Sequence, residues 1–141
     1  MIDNNKIVRN SADVDLIARR ATAVLIEKKA LNISVYHVGA ENPITDYYIN
    51  ATGRSLNQVG ALADLVVDML LEEGISAHRV EGKRGDGWIL VDYGGVIVNV
   101  FDEDSRSFYN LDRLMPAESV FDISDIIKAV DEKLGLDEAK I

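Results

Sequence analysis

The sequence predicts a mixed α/β fold, with a single mixed sheet of about five strands and helices packed on it. Three observations carry this. Helical and strand-like periodicities alternate along the chain, a glycine pair at Gly94-Gly95 joins two strand-like runs, and a long amphipathic stretch from Leu56 to Glu73 separates two others. A helix between strands implies a right-handed crossover to a parallel neighbour, whereas a two-residue glycine turn implies an antiparallel pair. Both kinds of pairing then occur in one sheet.

In chain order, residues 1 to 10 read as a frayed lead-in. From Asp13 to Ala30 the apolar residues Val14, Ile17, Ala21, Val24 and Leu25 fall on one helical face, and Lys28 and Lys29 sit in the last turn, where cations suit the helix dipole. Ile33 to Val38 reads as a strand, and Tyr47 to Thr52 as a second, with a loop carrying Pro43 between them. Ser55 and Gln58 form a capping box that opens the helix to Glu73, and Gly74 ends it. Ser76 to Glu81 is a third strand. Asp104 to Leu114 reads as a short helix, with Phe108, Leu111 and Met115 at helical spacing and Pro116 bounding it. Asp122 or Ser124 caps a last helix that runs through Leu134 and stops near Gly135, leaving a mobile tail.

The hairpin closed by Gly94-Gly95 allows its partners to be counted. Tyr93 faces Val96, Val91 faces Val98 and Ile89 faces Val100, all apolar, so this is the core face. The other face pairs Asp92 with Ile97, Leu90 with Asn99 and Trp88 with Phe101. That mixture suits either a second, partly covered core with a polar rim or an exposed docking patch built on the aromatic pair.

A chain of 141 residues with no low-complexity break is one domain able to bury a core. No apolar run approaches the roughly 20 residues of a membrane helix. The start of the chain resembles neither a signal nor a transit peptide, and cysteine is absent, so a cytoplasmic protein without thiol chemistry is expected. The net charge of −9 argues against free binding to a nucleic-acid backbone and favours a cationic protein partner.

Catalytic patterns are weak. Gly82-Lys83-Arg84-Gly85-Asp86-Gly87 leads into a strand, so it lacks the helix N-terminus of a phosphate loop. His37 and His78 have no metal-ligand spacing, and no serine or threonine has an evident base. Gly53-Arg54-Ser55 opens a helix and could hold an anion, although capping is its simpler role. Asp46 and Asp92, at strand ends, form the one pair that could converge on Mg²⁺.

Ile44-Thr45-Asp46, then Tyr48 through Ser55, Gln58, Ala61, Ala63-Asp64 and Glu73-Gly74 resemble the ribosomal silencing factor family, also called Iojap. Glu81-Gly82, Trp88 through Gly94, Val96 through Val98 and Arg106 through Leu114 continue the likeness in order, so that it spans Asp13 to Met115. The resemblance implies a nucleotidyltransferase-like fold without the catalytic motif. It also implies a translation repressor that binds the large ribosomal subunit through its ribosomal protein number fourteen and blocks joining of the small subunit when nutrients are scarce. Carried onto this chain, the partner-binding residues are Trp88, Leu90, Asp92, Asn99, Phe101, Tyr109, Leu111, Leu114 and Met115. Three positions depart from the family's pattern: Gly95 replaces a common acid, Asn99 a histidine and Met115 a tryptophan. Gly95 reads as harmless because it favours the turn, and methionine fills an apolar pocket with less area than tryptophan.

The expected protein is therefore non-enzymatic, with no cofactor, no metal, no membrane association and no required nucleic-acid contact; a second copy of the chain is a further candidate partner. Residues 1–115 make up the silencing-factor-like domain, and 116–141 a C-terminal helical extension on or beside it. The alternative is a divergent nucleotidyltransferase-like enzyme holding Mg²⁺ through Asp46 and Asp92.

Overall fold

The computed structural model describes residues 11–39 and 41–139. The expected lead-in and the last two residues of the expected tail lie outside them. Helix α1 (Ser11–Glu27) is followed by strands β1 (Leu31–His37) and β2 (Tyr47–Gly53), helix α2 (Leu56–Glu72), strands β3 (Arg79–Glu81), β4 (Trp88–Asp92) and β5 (Val96–Asp102), and helices α3 (Glu103–Tyr109) and α4 (Ser124–Ala139). The strands form a five-stranded sheet in the order β1-β2-β5-β4-β3. β2 and β5 are parallel and the other pairs antiparallel. The expected mixed sheet is present, but the parallel neighbour of β2 is β5. After α2 the chain enters the sheet at the far edge and returns through the β3-β4-β5 meander.

One face of the sheet is apolar for the reason the hairpin pattern indicated. Ile89, Val91, Val96, Val98 and Val100 are buried with Ile49 and Ala51 of β2, beneath Val14, Ala18, Ala21, Val24 and Leu25 of α1 and Val59, Leu62, Ala63, Val66 and Leu70 of α2. The hairpin register is the one counted from the sequence, with Trp88 opposite Phe101, Leu90 opposite Asn99 and Asp92 opposite Ile97. α4 packs on α1 through buried Ile126 and Val130, adding an outer layer.

Several boundaries move, each for a local reason. α1 ends at Glu27, so Lys28 and Lys29 fall beyond the last turn. Lys29 takes φ 68°, its N–H donating to the Ile26 carbonyl (3.1 Å) and that of Ala30 to the Leu25 carbonyl (2.9 Å), a Schellman closure with lysine where glycine is usual. α2 closes the same way, with Gly74 at φ 84° as expected. At its start Ser55 Oγ accepts from the Gln58 N–H (3.1 Å), and Gln58 Oε1 reaches back to the Arg54 N–H, one residue before the cap. β3 keeps only the last three residues of the expected strand, because β4 reaches its end where Asp92 faces Arg79. The segment after β5 is not one helix: Asn110, at φ 45° and ψ 53°, ends α3, and Leu111–Leu114 form a separate 3-10 turn. Of the two expected caps of α4, Asp122 does the work, its Oδ1 accepting from the Ser124 N–H (2.9 Å). α4 continues through Gly135, so the first residues of the expected mobile tail are helical.

Gly95 has a different role from the expected one. Gly94 alone takes the positive φ (86°) that the turn requires. Gly95 makes room for α1, since a Cβ there would lie 2.6 Å from Val14 Cγ2. Gly95→Ala should therefore destabilise the protein by about 1–3 kcal/mol through overpacking, seen as a lower urea midpoint with an unchanged slope; an unchanged midpoint would contradict this packing. Lys29→Gly should raise stability by up to about 1 kcal/mol, because it relieves a left-handed conformation without removing a hydrogen bond of the closure.

Candidate functional site

The second face of the sheet divides into a sealed interior and an open rim. In its centre Phe101, Asn99, Asn50 and Thr52 are all 2% exposed or less. On the β4 side Trp88, Leu90 and Asp92 are half-buried. The segment after β5 folds back over this face. Asp102 caps α3 by accepting the Ser105 N–H (2.9 Å), and its own N–H donates to the Gly87 carbonyl (3.0 Å), which ties the start of α3 to the residue before Trp88.

An aromatic shelf results. The Trp88 ring lies 5.2 Å from Phe101 and 4.7 Å from Tyr109, and Phe108 meets Tyr109 edge-on at 5.0 Å. Phe108 is 81% exposed and Leu114 64%. A recess of about 190 Å³ lined by Glu81, Gly82, Trp88 and Leu90 opens beside the indole.

What holds the α3 segment in place is polar. Neither α3 nor the following 3-10 turn has a buried residue. Instead Arg106 grips Asp112 with two bonds, Nε to Oδ2 at 2.7 Å and Nη2 to Oδ1 at 3.1 Å. The same guanidinium donates to Thr52 Oγ1 (3.0 Å), Ser34 Oγ (3.3 Å) and the Asn32 carbonyl (2.9 Å). Asn32 sits at φ 47° where the β1-β2 register shifts, a conformation asparagine tolerates better than most residues. Asp112 Oδ1 also accepts from Tyr36 Oη (2.7 Å) and Asn50 Nδ2 (3.2 Å), Asn50 accepts from Asn99 Nδ2 (3.1 Å), and Asn99 accepts from Trp88 Nε1 (3.0 Å). Burial opposes ionisation of Asp112, but the bonds from Arg106, Tyr36 and Asn50 and the guanidinium charge outweigh it and hold the carboxyl below its ordinary range. Burial, followed by the bond to Asp112, raises the Tyr36 phenol.

The residues expected to bind a partner are thus brought together, but at different depths. Trp88, Leu90, Asp92, Leu111 and Met115 are partly exposed, and Tyr109 and Leu114 are exposed. Phe101 and Asn99 are a correction: at 0% and 1% exposure they are the floor under Trp88, not surface groups. Sequence reasoning noted Phe108 only for its helical spacing and not as a site residue, and it missed the Arg106–Asp112 clamp. The signal available for both was Asn110, a residue suited to the left-handed turn that interrupts the helix.

Of the two carboxylates considered as metal ligands, that of Asp92 is engaged in the hairpin turn and with Arg79. Asp92 Oδ1 accepts the Gly94 N–H (2.7 Å) and Oδ2 pairs with Arg79 Nε (3.0 Å). Asp46 is 3% exposed, and its N–H donates to the Gly95 carbonyl (3.1 Å). Among the described residues no group of three or more histidine, aspartate and glutamate side chains is arranged to hold a metal ion. A recess of about 400 Å³ along α1 and α4 is bordered by the ion pairs Arg19–Asp125, Arg20–Glu73 and Lys133–Glu27, whose charges satisfy one another.

Fold and site define a mixed α/β protein that offers a surface, an aromatic shelf braced by a polar network. The particular family follows from comparison with known proteins. Residues 11–139 match the family described as ribosomal silencing factor during starvation, and the chain belongs to that family. It is 37% identical to the ribosomal silencing factor of Bacillus subtilis over 98 residues, covering 70% of this chain and 83% of that protein. With the corresponding Zymomonas mobilis protein it shares 32% over 106 residues, covering 75% and 80%. A crystal structure of a Chromobacterium violaceum protein superposes with a TM-score of 0.68 at 32% identity, covering 72% of this chain and 85% of that one.

Asp112→Asn should destabilise the protein at pH 7 by about 2–4 kcal/mol, since it leaves Arg106 partly buried without its counter-ion. Because the folded-state pKa of Asp112 is depressed, its contribution is fully present above the unfolded value of 3.8 and is lost as pH falls through the folded value. The stability gap between wild type and variant, measured by urea unfolding from pH 7 downwards, should therefore narrow only below about pH 4. A gap that did not depend on pH would contradict the ionised clamp.

Proposed function

We propose that this protein represses translation in the cytoplasm by docking on the large ribosomal subunit through the Trp88 shelf, so that the small subunit cannot join. Its direct partner on that reading is the large-subunit protein number fourteen, and the repression operates under nutrient limitation. The observation that carries the proposal is the shelf itself. Trp88, Tyr109 and Phe108 present adjoining rings at the surface on a braced base, the arrangement expected of binding anchors. Leu114 is a further exposed apolar residue of the segment after β5, and Glu103 and Asp104 in the first turn of α3 supply negative charge, while Glu81 and Asp92 share Arg79. Within a chain of net charge −9, this pattern steers a cationic protein surface into place and leaves affinity to the aromatic centre.

Family membership supports the same direction. A mouse relative, 26% identical over 113 residues, is named mitochondrial assembly of ribosomal large subunit protein 1, which links it to the same particle; this chain covers 48% of its length. Nothing in the proposed action requires bond making, since a protein seated on the joining face acts by occupancy.

Co-sedimentation with purified large subunits, small subunits and joined ribosomes tests the proposal. Binding to large subunits alone, with fewer joined ribosomes after mixing, is the expected result, and absence of binding to large subunits would overturn it. Trp88→Ala should weaken large-subunit binding about thirtyfold or more, the range of interface hot spots, while a variant that binds like wild type would remove Trp88 from the docking surface.

A further inference from the structure

The polar network beneath the shelf has a direction. The Trp88 indole N–H can only donate, and the ionised Asp112 carboxylate can only accept. Between them stand Asn99 and Asn50, each 1% exposed and each with one accepting and one donating end. The indole fixes the Asn99 oxygen toward itself at 3.0 Å, which turns the Asn99 NH₂ to the Asn50 oxygen at 3.1 Å and the Asn50 NH₂ to Asp112 at 3.2 Å. Flipping either amide would set oxygen against oxygen or NH₂ against NH₂, so one orientation satisfies every link. Buried relays of this kind are orienting because a broken link leaves a polar group without water.

We infer that Asn99 and Asn50 are positioning residues of the docking surface, which act through Trp88 by a one-way hydrogen-bond relay ending at the Arg106–Asp112 clamp. This deepens the ribosomal docking proposed above, and its binding arm rests on that reading. Histidine, which the family resemblance places at position 99, can also accept through one nitrogen and donate through the other, so Asn99 preserves the relay's direction.

The groups facing the relay are Tyr36 of β1, Tyr48 of β2, Arg106 and Tyr109 of α3, Asp112 of the 3-10 turn and, along the same face, Asp92 of β4 with Arg79 and Glu81 of β3. His37 stacks on Tyr47 (4.3 Å), whose Cα partner Val96 lies on the opposite face, and His78 precedes β3. Asp112, held below its ordinary range, remains an acceptor between pH 8 and 5.5.

Asn99→Asp tests the direction with almost no change of shape. Ionised, the new carboxylate accepts from Trp88 but confronts the Asn50 oxygen; protonated, its O–H donates to Asn50 while its carbonyl accepts from Trp88, and the relay is restored. Burial raises the new carboxyl above the ordinary aspartate range. Relative to wild type at each pH, the variant should therefore bind large subunits about tenfold or more weakly where that carboxyl is ionised, towards pH 8, and approach parity as it takes up its proton, towards pH 5.5. Emission of the single tryptophan should depart from that of wild type at pH 8 and return at pH 5.5. Asn50→Asp should show the same acid rescue, which a mere loss of packing would not. In wild type, the indole proton should exchange slowly with water and keep its NMR shift across this range. A folded Asn99→Asp variant whose infrared spectrum shows the added carboxyl ionised at pH 8, yet which matches wild type there in both affinity and emission, would overturn the relay. So would a wild-type indole proton exchanging as freely as that of an exposed tryptophan, a measurement that decides the matter even if neither variant folds. Wild type failing to bind large subunits would overturn the docking proposal alone, leaving emission and indole exchange to judge the relay.

Discussion

β5 is buried along its whole length from Val96 to Phe101, on both sides of the sheet, and most of the structure answers to that constraint. One side is met by helices α1 and α2 in the ordinary way, apolar stripe against apolar strand. The other side carries Asn99 between Ile97 and Phe101, so it cannot be sealed by hydrocarbon alone; a buried amide without partners would be strongly unfavourable. The solution is to cover it with a short segment that brings its own polar groups. Among the described residues no buried side-chain nitrogen or oxygen lacks a partner.

That solution explains why the face proposed for docking looks as it does. A lid held by apolar burial would hide its own hydrophobic residues. A lid held by Arg106 and Asp112, with side chains 14% and 24% exposed, leaves Phe108 and Leu114 outward and available. An ion pair in such a place contributes less to stability than its geometry suggests, because desolvation offsets much of the attraction. Its value lies in orientation: two parallel bonds and a bent chain at Asn110 set one angle for Tyr109 against Trp88. The same clamp therefore links the covering of β5 to the shape of the surface offered to a partner.

The departures from the family's pattern also acquire physical meaning. Gly95 is tied to Val14, so the shape of α1 and the second residue of the turn belong together. Asn99, where the resemblance implies histidine, lies too deep to touch a partner and accepts from the Trp88 indole. Met115 lies half-buried just after the 3-10 turn, and its flexible thioether adapts its shape more readily than an indole would.

Much of this protein was determined by its sequence locally. The alternation of Ile89, Val91 and Tyr93 with Trp88, Leu90 and Asp92, together with the glycine pair, sets the hairpin register and separates its two faces, because strand side chains alternate with a period of two. Ser55, Gln58 and Gly74 delimit α2 through bonds within a few residues of one another. The aromatic half of the site was legible for the same reason. What only the tertiary structure decided were matters of distant partnership: that β2 pairs with β5, that Gly95 yields to Val14, that Asn50 and Asn99 meet, and that Arg106 and Asp112 close over Tyr36 from a strand 70 or more residues away in the chain. Periodicity reports which side of an element faces inward. It carries no information about which distant polar group will be there to receive a buried amide, and that is settled only when the layers are stacked.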